Sequence, residues 1–176
     1  DFYLKVLGIT QDGGYPHAGC MRECCKNIWS NLTKKELVSS IALIDGSLKK
    51  FWLIDITPDF KEQYNMINPN YKLSGIFLTH AHLGHYIGLL DLGVEVMNLT
   101  QVPVYAMPRM KDFLEKNAPI NFLIEKNNIR PFIIEDNVSI QLSETISISP
   151  FLVPHRNELS ETVGYKIQSS NKSIIY

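Results

Sequence analysis

Residues 75–90, Gly75-Ile-Phe-Leu-Thr-His80-Ala-His82-Leu-Gly84-His85-Tyr-Ile-Gly88-Leu-Leu90, contain three of the chain's five histidines. The apolar run ahead of them reads as a buried strand. A loop leaving the C-terminal end of such a strand can aim His80 and His82 into one cavity, because alternate residues of extended chain face the same side. Neutral imidazole is a good ligand for zinc and for iron. The stretch therefore predicts a strand, a metal-ligand loop and then a helix, running from about His85 through Met97.

The flanking sequence repeats short elements of both kinds. Asp1-Phe-Tyr-Leu-Lys-Val-Leu-Gly8 reads as a first strand extending to Ile9, not as a signal peptide. The loop Gln11-Asp12-Gly13-Gly14-Tyr15-Pro16-His17 that follows can approach a ligand closely. Val38 to Ile44 and Lys50 to Asp55 read as two strands joined at Asp45-Gly46. Thr57-Pro58-Asp59 suits a helix start for Asp59 to Met66. A strand at Val102 to Ala106 and a helix at Pro108 to Lys116 come next. Strands are then expected around 129–134, 138–142, 146–153, 162–167 and 173–176. The sum is strand-rich α/β with two sheets.

With 176 residues, 45% hydrophobic and 20% charged, the chain can bury one sizeable core, so a single domain over 1–176 is expected. A net charge of −1 gives no electrostatic case for nucleic acid or an anionic membrane as partner. No apolar run is long enough to span a bilayer. The expected partner is a small-molecule substrate, and the composition suits a cytoplasmic and an exported protein equally.

His155, in Phe151-Leu-Val-Pro-His155-Arg-Asn-Glu158, again follows an apolar strand. Strand-end loops gather at one sheet edge, so His155 can join His80 and His82 as a third ligand. Asp55 and Asp59 flank a strand end and can support the metal loop through hydrogen bonds or serve a turn and a helix start. Arg156, Glu158 and Tyr165 lie close enough to His155 in sequence to touch substrate, or are simply solvated as polar loop residues usually are. All three cysteines fall in Cys20-Met-Arg-Glu-Cys24-Cys25, an odd number that argues against a disulfide framework. With His17 they can form a small structural metal site. The adjacent side chains of Cys24 and Cys25 diverge in most backbone conformations, which opposes both binding one ion.

These residues resemble the metallo-β-lactamase fold hydrolases, whose signature is His-x-His-x-Asp-His on a loop after a buried strand. Within that superfamily the chain looks most like pyrroloquinoline quinone biosynthesis protein B and its relatives. The match includes Val6-Leu-Gly8 with its glycine-rich loop and cysteine cluster, Ser39-Ser-Ile-Ala-Leu43, Thr57-Pro-Asp59 and His85-Tyr-Ile-Gly-Leu-Leu90. The resemblance implies an αββα sandwich with metal at the sheet edges. His80, His82 and His155 would hold one ion, zinc as the expected metal and iron as the alternative, and His85 would belong to a second. Three neutral ligands leave a position for water, whose pKa zinc lowers to about 7, and the resulting hydroxide would be the nucleophile.

Two departures qualify that picture. Gly84 stands where the signature has aspartate, which removes a carboxylate from the second position and favours one ion. Asp12 can replace it if its loop lies at the pocket, or can merely support a glycine turn. Relatives also continue past a strand like Ser173-Ile-Ile-Tyr176 to a bridging aspartate and a further histidine. The resemblance thus implies an N-terminal portion of the fold, completed by a C-terminal segment or by association with another copy. The leading function is hydrolysis of an ester, amide, lactone or phosphoester. The alternatives are an iron-dependent oxidoreductase and a non-catalytic metal-binding relative.

Overall fold

The computed structural model describes residues 2–170 and 172–176; Asp1, which opens the expected first strand, lies outside them. Among the described residues ten strands form two sheets. The first has the order β1 (Phe2–Gly8), β2 (Ser40–Asp45), β3 (Lys50–Ile54), β4 (Lys72–Phe77), β5 (Val102–Ala106), β6 (Ile129–Ile133). β1 to β3 run antiparallel, and β3 to β6 are parallel. Every residue of β2 is buried, as expected of a strand covered on both faces. The second sheet is the antiparallel set β7 (Ile140–Ser143), β8 (Ile146–Leu152), β9 (Val163–Ser169) and β10 (Lys172–Ile175).

The sheets meet through one continuous core in which Ile146, Ile148, Val163, Tyr165 and Ile167 join the buried residues of β2 to β5. Phe77 stacks on Tyr105 at 4.4 Å between centroids and receives the edge of Tyr165 at 5.6 Å. Tyr165 is 0% exposed, and its hydroxyl donates to the Leu78 carbonyl at 2.6 Å. Each such apolar side chain contributes about 1.5–3 kcal/mol by leaving water. That burial presses β9 against the end of β4, where the histidine loop departs. Tyr165 is consequently a core residue, not the substrate contact its place near His155 suggested.

Among the described residues there are five α-helices: α1 (Glu23–Trp29), α2 (Phe60–Asn65), α3 (Leu83–Tyr86), α4 (Pro108–Lys116) and α5 (Ala118–Glu125). α1 and α5 are absent from the sequence expectation. Pro119 stands in the first turn of α5, where its missing N–H costs nothing. Met110, Leu114, Ile120 and Leu123 bury their side chains in α4 and α5. After β6 the described residues form no helix, and the outward residues Lys166 and Gln168 of β9 are exposed.

The helix expected over 85–97 shortens to α3 followed by a 3₁₀ segment, Ile87–Leu92. The cause is tertiary. The His85 carbonyl accepts from Ile56 N–H at 3.0 Å, and Gly88 N–H donates to the Ile56 carbonyl at 3.1 Å. Groups that would continue the α-helical ladder are bonded to the chain after β3 instead.

The first loop is drawn to the same sheet edge. A Cβ at Gly8 would stand 2.0 Å from the Val38 carbonyl oxygen, so only glycine permits the approach. Beyond it, Ile9 and Thr10 N–H donate to Leu37 O at 2.8 and 3.0 Å, and Ser39 N–H donates to Thr10 O at 2.8 Å. These bonds deliver Gln11 and Asp12 to the C-terminal ends of the parallel strands. Among the described residues no helix is long and apolar enough to cross a membrane.

Candidate metal centre

Asp55 follows β3 at φ 63°, a left-handed conformation that aspartate tolerates better than most residues, and is 0% exposed. Its carboxylate accepts from Thr79 N–H at 2.8 Å and from Thr79 Oγ1 at 2.9–3.0 Å. It also accepts from His85 Nδ1 at 2.6 Å. Since the Thr79 hydroxyl gives its proton to Asp55, it accepts from His80 Nδ1 at 2.9 Å. Both imidazoles thereby carry a proton on Nδ1, which leaves His80 the tautomer that binds a metal through Nε2.

His80 Nε2 lies 2.9 Å from His82 Nδ1, and the ring of His155 stands 5.0 and 5.2 Å from those of His80 and His82. One donor atom from each of the three falls within 4.8 Å of the others. The loop that carries His155 is pinned to the histidine loop at one point and to helix α4 at two. Ser160 Oγ accepts from Ala81 N–H at 2.9 Å, Arg109 Nη2 donates to Asn157 O at 3.0 Å, and Glu161 accepts from the first N–H groups of α4 at 3.1–3.2 Å. Glu158 Oε2 stands 3.5 Å from His82 Nε2, on the side away from His80.

The electrostatics suit a neutral donor at His80. Burial, and then the charges of His85, His82 and His155, push the His80 pKa down to about 3. His85 is pulled both ways: burial disfavours its charge, but the hydrogen bond and charge of Asp55 outweigh that, and its pKa is raised. Three nitrogen donors converging on one point fit a zinc or iron ion.

The cleft above these rings, ≈ 580 Å³, is lined by Gln11, Asp12, His17, the four histidines of the site and Arg156. A second hollow of ≈ 430 Å³ adjoins it, walled by Phe151, Val153, Pro154, Ile175 and Tyr176. Asp12 is therefore at the pocket: its Oδ1 stands 3.3 Å from His85 Nε2, and its Oδ2 accepts from Gly84 N–H at 3.4 Å. Asp59 is elsewhere, accepting from Val38 N–H at 2.9 Å and facing Lys35 at 3.6 Å. Thr79 and Ser160 carried no signal in the sequence, since hydroxyl residues at strand ends are commonplace.

The cysteines form a separate cluster. Cys20, Cys24 and Cys25 bring their Sγ atoms within 4.8 Å of one another, with Cys24 and Cys25 only 3.8 Å apart. The expected divergence of adjacent side chains fails here because helix α1 begins at Glu23 and turns both thiols toward Cys20. Thiolates bonded to one tetrahedral zinc stand about 3.8 Å apart. The ring of His17 is not among them. It lies where a side chain on Gly13 would go, within the histidine cleft, and only its backbone N–H reaches Cys25 Sγ, at 3.5 Å.

Residues 52–176 match the Beta-lactamase superfamily domain. The chain belongs to the beta-lactamase superfamily. Within this superfamily it is 27% identical over 170 residues to Coenzyme PQQ synthesis protein B of Bradyrhizobium diazoefficiens, covering 88% of this chain and 53% of the relative. It is 25% identical over 146 residues to Ribonuclease Z of Rippkaea orientalis, covering 80% of this chain and 45% of the relative. The crystal structure of Zn(2+)-bound PqqB from Methylobacterium extorquens superposes with TM-score 0.83 at 21% identity, covering 100% of this chain and 64% of that one. The fold is thus the metallo-β-lactamase fold, close to PqqB. The chain spans about half the length of the curated relatives it matches.

Proposed function

We propose that the 176 residues form one metallo-β-lactamase-like domain that acts as a metal-dependent hydrolase on an ester, amide, lactone or phosphoester bond. The observation that carries this reading is the His80–His82–His155 convergence, with the hydrogen bonds of Thr79 and Asp55 leaving Nε2 of His80 bare. A zinc ion held by these three would supply a Lewis acid and lower the pKa of a coordinated water to about 7. Glu158 orients His82 from behind, a partner of the kind that sharpens metal affinity. Arg156 at the rim offers a bidentate donor to an anionic substrate group. The apolar wall from Phe151 to Pro154 receives the substrate's non-polar part and keeps bulk water from the reacting bond. Support also comes from the relative named as a ribonuclease and from the zinc in the PqqB crystal structure.

The likeness to Coenzyme PQQ synthesis protein B favours one competing reading, an iron-dependent oxidoreductase. Metal analysis of freshly purified protein, paired with assays on chromogenic esters and phosphodiesters, separates the two. Zinc with turnover is expected. Iron with oxygen uptake and no hydrolysis would replace the hydrolase reading, and absence of stoichiometric metal at the histidines would sink both.

The three thiols are proposed to hold a structural zinc. Chelation should raise the number of thiols that react with a thiol reagent from none to three per chain and lower the melting temperature. Full thiol reactivity before chelation would dismiss the site.

A further inference from the structure

We propose that the cavity at the N-terminal edge of the parallel strands binds a small organic anion, its doubly charged head between Lys50 and Lys72 and its apolar body against Tyr64, Leu99 and Pro103. The hollow measures ≈ 590 Å³, a size common among ligand pockets. Lys50 opens β3, Lys72 opens β4 and Val102 opens β5, whereas the histidine loop leaves the far end of β4. About 20 Å of strand separates the two places, so the proposal stands apart from the hydrolase reading.

Three observations carry it. First, Lys50 and Lys72 are register partners on neighbouring strands. Such strands lie about 4.8 Å apart, and like charges side by side destabilise a sheet. Among the described residues neither lysine forms an ion pair, whereas Lys35, Lys111 and Lys116 do. Asp45 stands opposite Lys50 on β2, but its Oδ1 accepts from Ser47 and Leu48 N–H at 3.0 Å and it lines a different hollow. An anion between the two ammonium groups removes their repulsion. Second, β4 carries an extra residue at this point: Phe51 pairs with Leu73 and Trp52 with Gly75, which leaves Ser74 unopposed. Bulges are rare between parallel strands and gather beside functional sites, where they re-aim side chains. Ser74 opens onto the cavity. Third, the far wall is fixed in advance. Gln101 N–H donates to Asn127 O at 2.7 Å and its side-chain amide to Asn127 Oδ1 at 2.9 Å, which holds Leu99 and Thr100 at the hollow. The Thr100 hydroxyl adds a neutral donor to the two cations. Two lysines suit a dianion such as a phosphate monoester, which they bind as point charges.

The test is calorimetric titration of the full chain with phenylphosphonate, whose carbon–phosphorus bond a hydrolase does not cleave, at mildly alkaline pH where its head is doubly charged. Inorganic phosphate and phenol serve as head and body alone. The proteins compared are the wild type, Lys50→Gln, Lys72→Gln and His82→Ala. Phenylphosphonate should bind the wild type, inorganic phosphate at least about tenfold more weakly and phenol not measurably, because the cavity recognises both parts. Each lysine substitution should weaken phenylphosphonate by about tenfold or more, and raised salt should weaken it too. Both lysines are exposed, so the variants should keep the wild-type circular dichroism and melt no lower than the wild type. His82→Ala should leave this binding unchanged, which separates it from any anion held at the histidine centre. Absence of phenylphosphonate binding in the wild type would overturn the proposal, and so would undiminished affinity in both lysine variants. Binding lost in His82→Ala and intact in the lysine variants would also overturn it, by placing the anion at the histidine site instead.

Discussion

His82→Ala is expected to abolish metal retention at the three-histidine site and to reduce kcat/KM on chromogenic esters by roughly 10³-fold or more. The size follows from removing a Lewis acid that contributes several kcal/mol to the transition state, at 1.36 kcal/mol per decade of rate. His82 is the most informative of the three because its ring lies outside the core. Its partners are His80 Nε2 at 2.9 Å and the exposed Glu158 at 3.5 Å, and neither holds a strand. His80 is only 7% exposed and is bonded to Thr79, so its removal would mix ligand loss with damage to the loop. Glu158→Gln should weaken metal affinity by about 10–100-fold, the effect typical of an orienting partner. Metal content after dialysis and steady-state rates provide the readout. Full metal retention with undiminished hydrolysis in His82→Ala would refute the site.

The second large effect is on stability. Asp55→Ala should destabilise the metal-free protein by about 3–5 kcal/mol, measured by urea unfolding. Removing the carboxylate strands Thr79 N–H, the Thr79 hydroxyl and His85 Nδ1 without their acceptor in a fully buried position. Alanine must also adopt φ 63°, which adds about 1 kcal/mol that aspartate and asparagine largely avoid. Asp55→Asn keeps an oxygen for Thr79 and the same backbone preference, so it should cost only about 1–2 kcal/mol. It would still loosen the tautomers of His80 and His85 and reduce metal affinity. An alanine variant within about 1 kcal/mol of the wild type would show that these bonds contribute little to the fold.

Much of this was legible in the chain itself. The strand ending before His80, the strand ending before His155 and the helix beginning at Pro108 are all written in local pattern, and all occur close to where they are expected. Alternation and β-branched runs record burial by a sheet, which is a local property of each segment. The role of Asp55 was half-visible as an acidic residue at a strand end, whereas its partners Thr79 and His85 could be named only once β3 and β4 were seen side by side. The 85–97 helix misled because its backbone groups are claimed by Ile56, far away in sequence.

The sequence by itself determined the superfamily, the two-sheet α/β architecture and the three histidines of the candidate site, because each is encoded in residue types and spacings within short local segments. Tertiary structure alone decided where the isolated polar residues point. It aimed Asp12 at His85 through the space above Gly84, turned Cys24 and Cys25 to the same side and sent Tyr165 into the core. The physical reason is common to all of them: a side chain's chemistry is set by the neighbours that packing brings within a few ångströms, and those neighbours are seldom near in sequence.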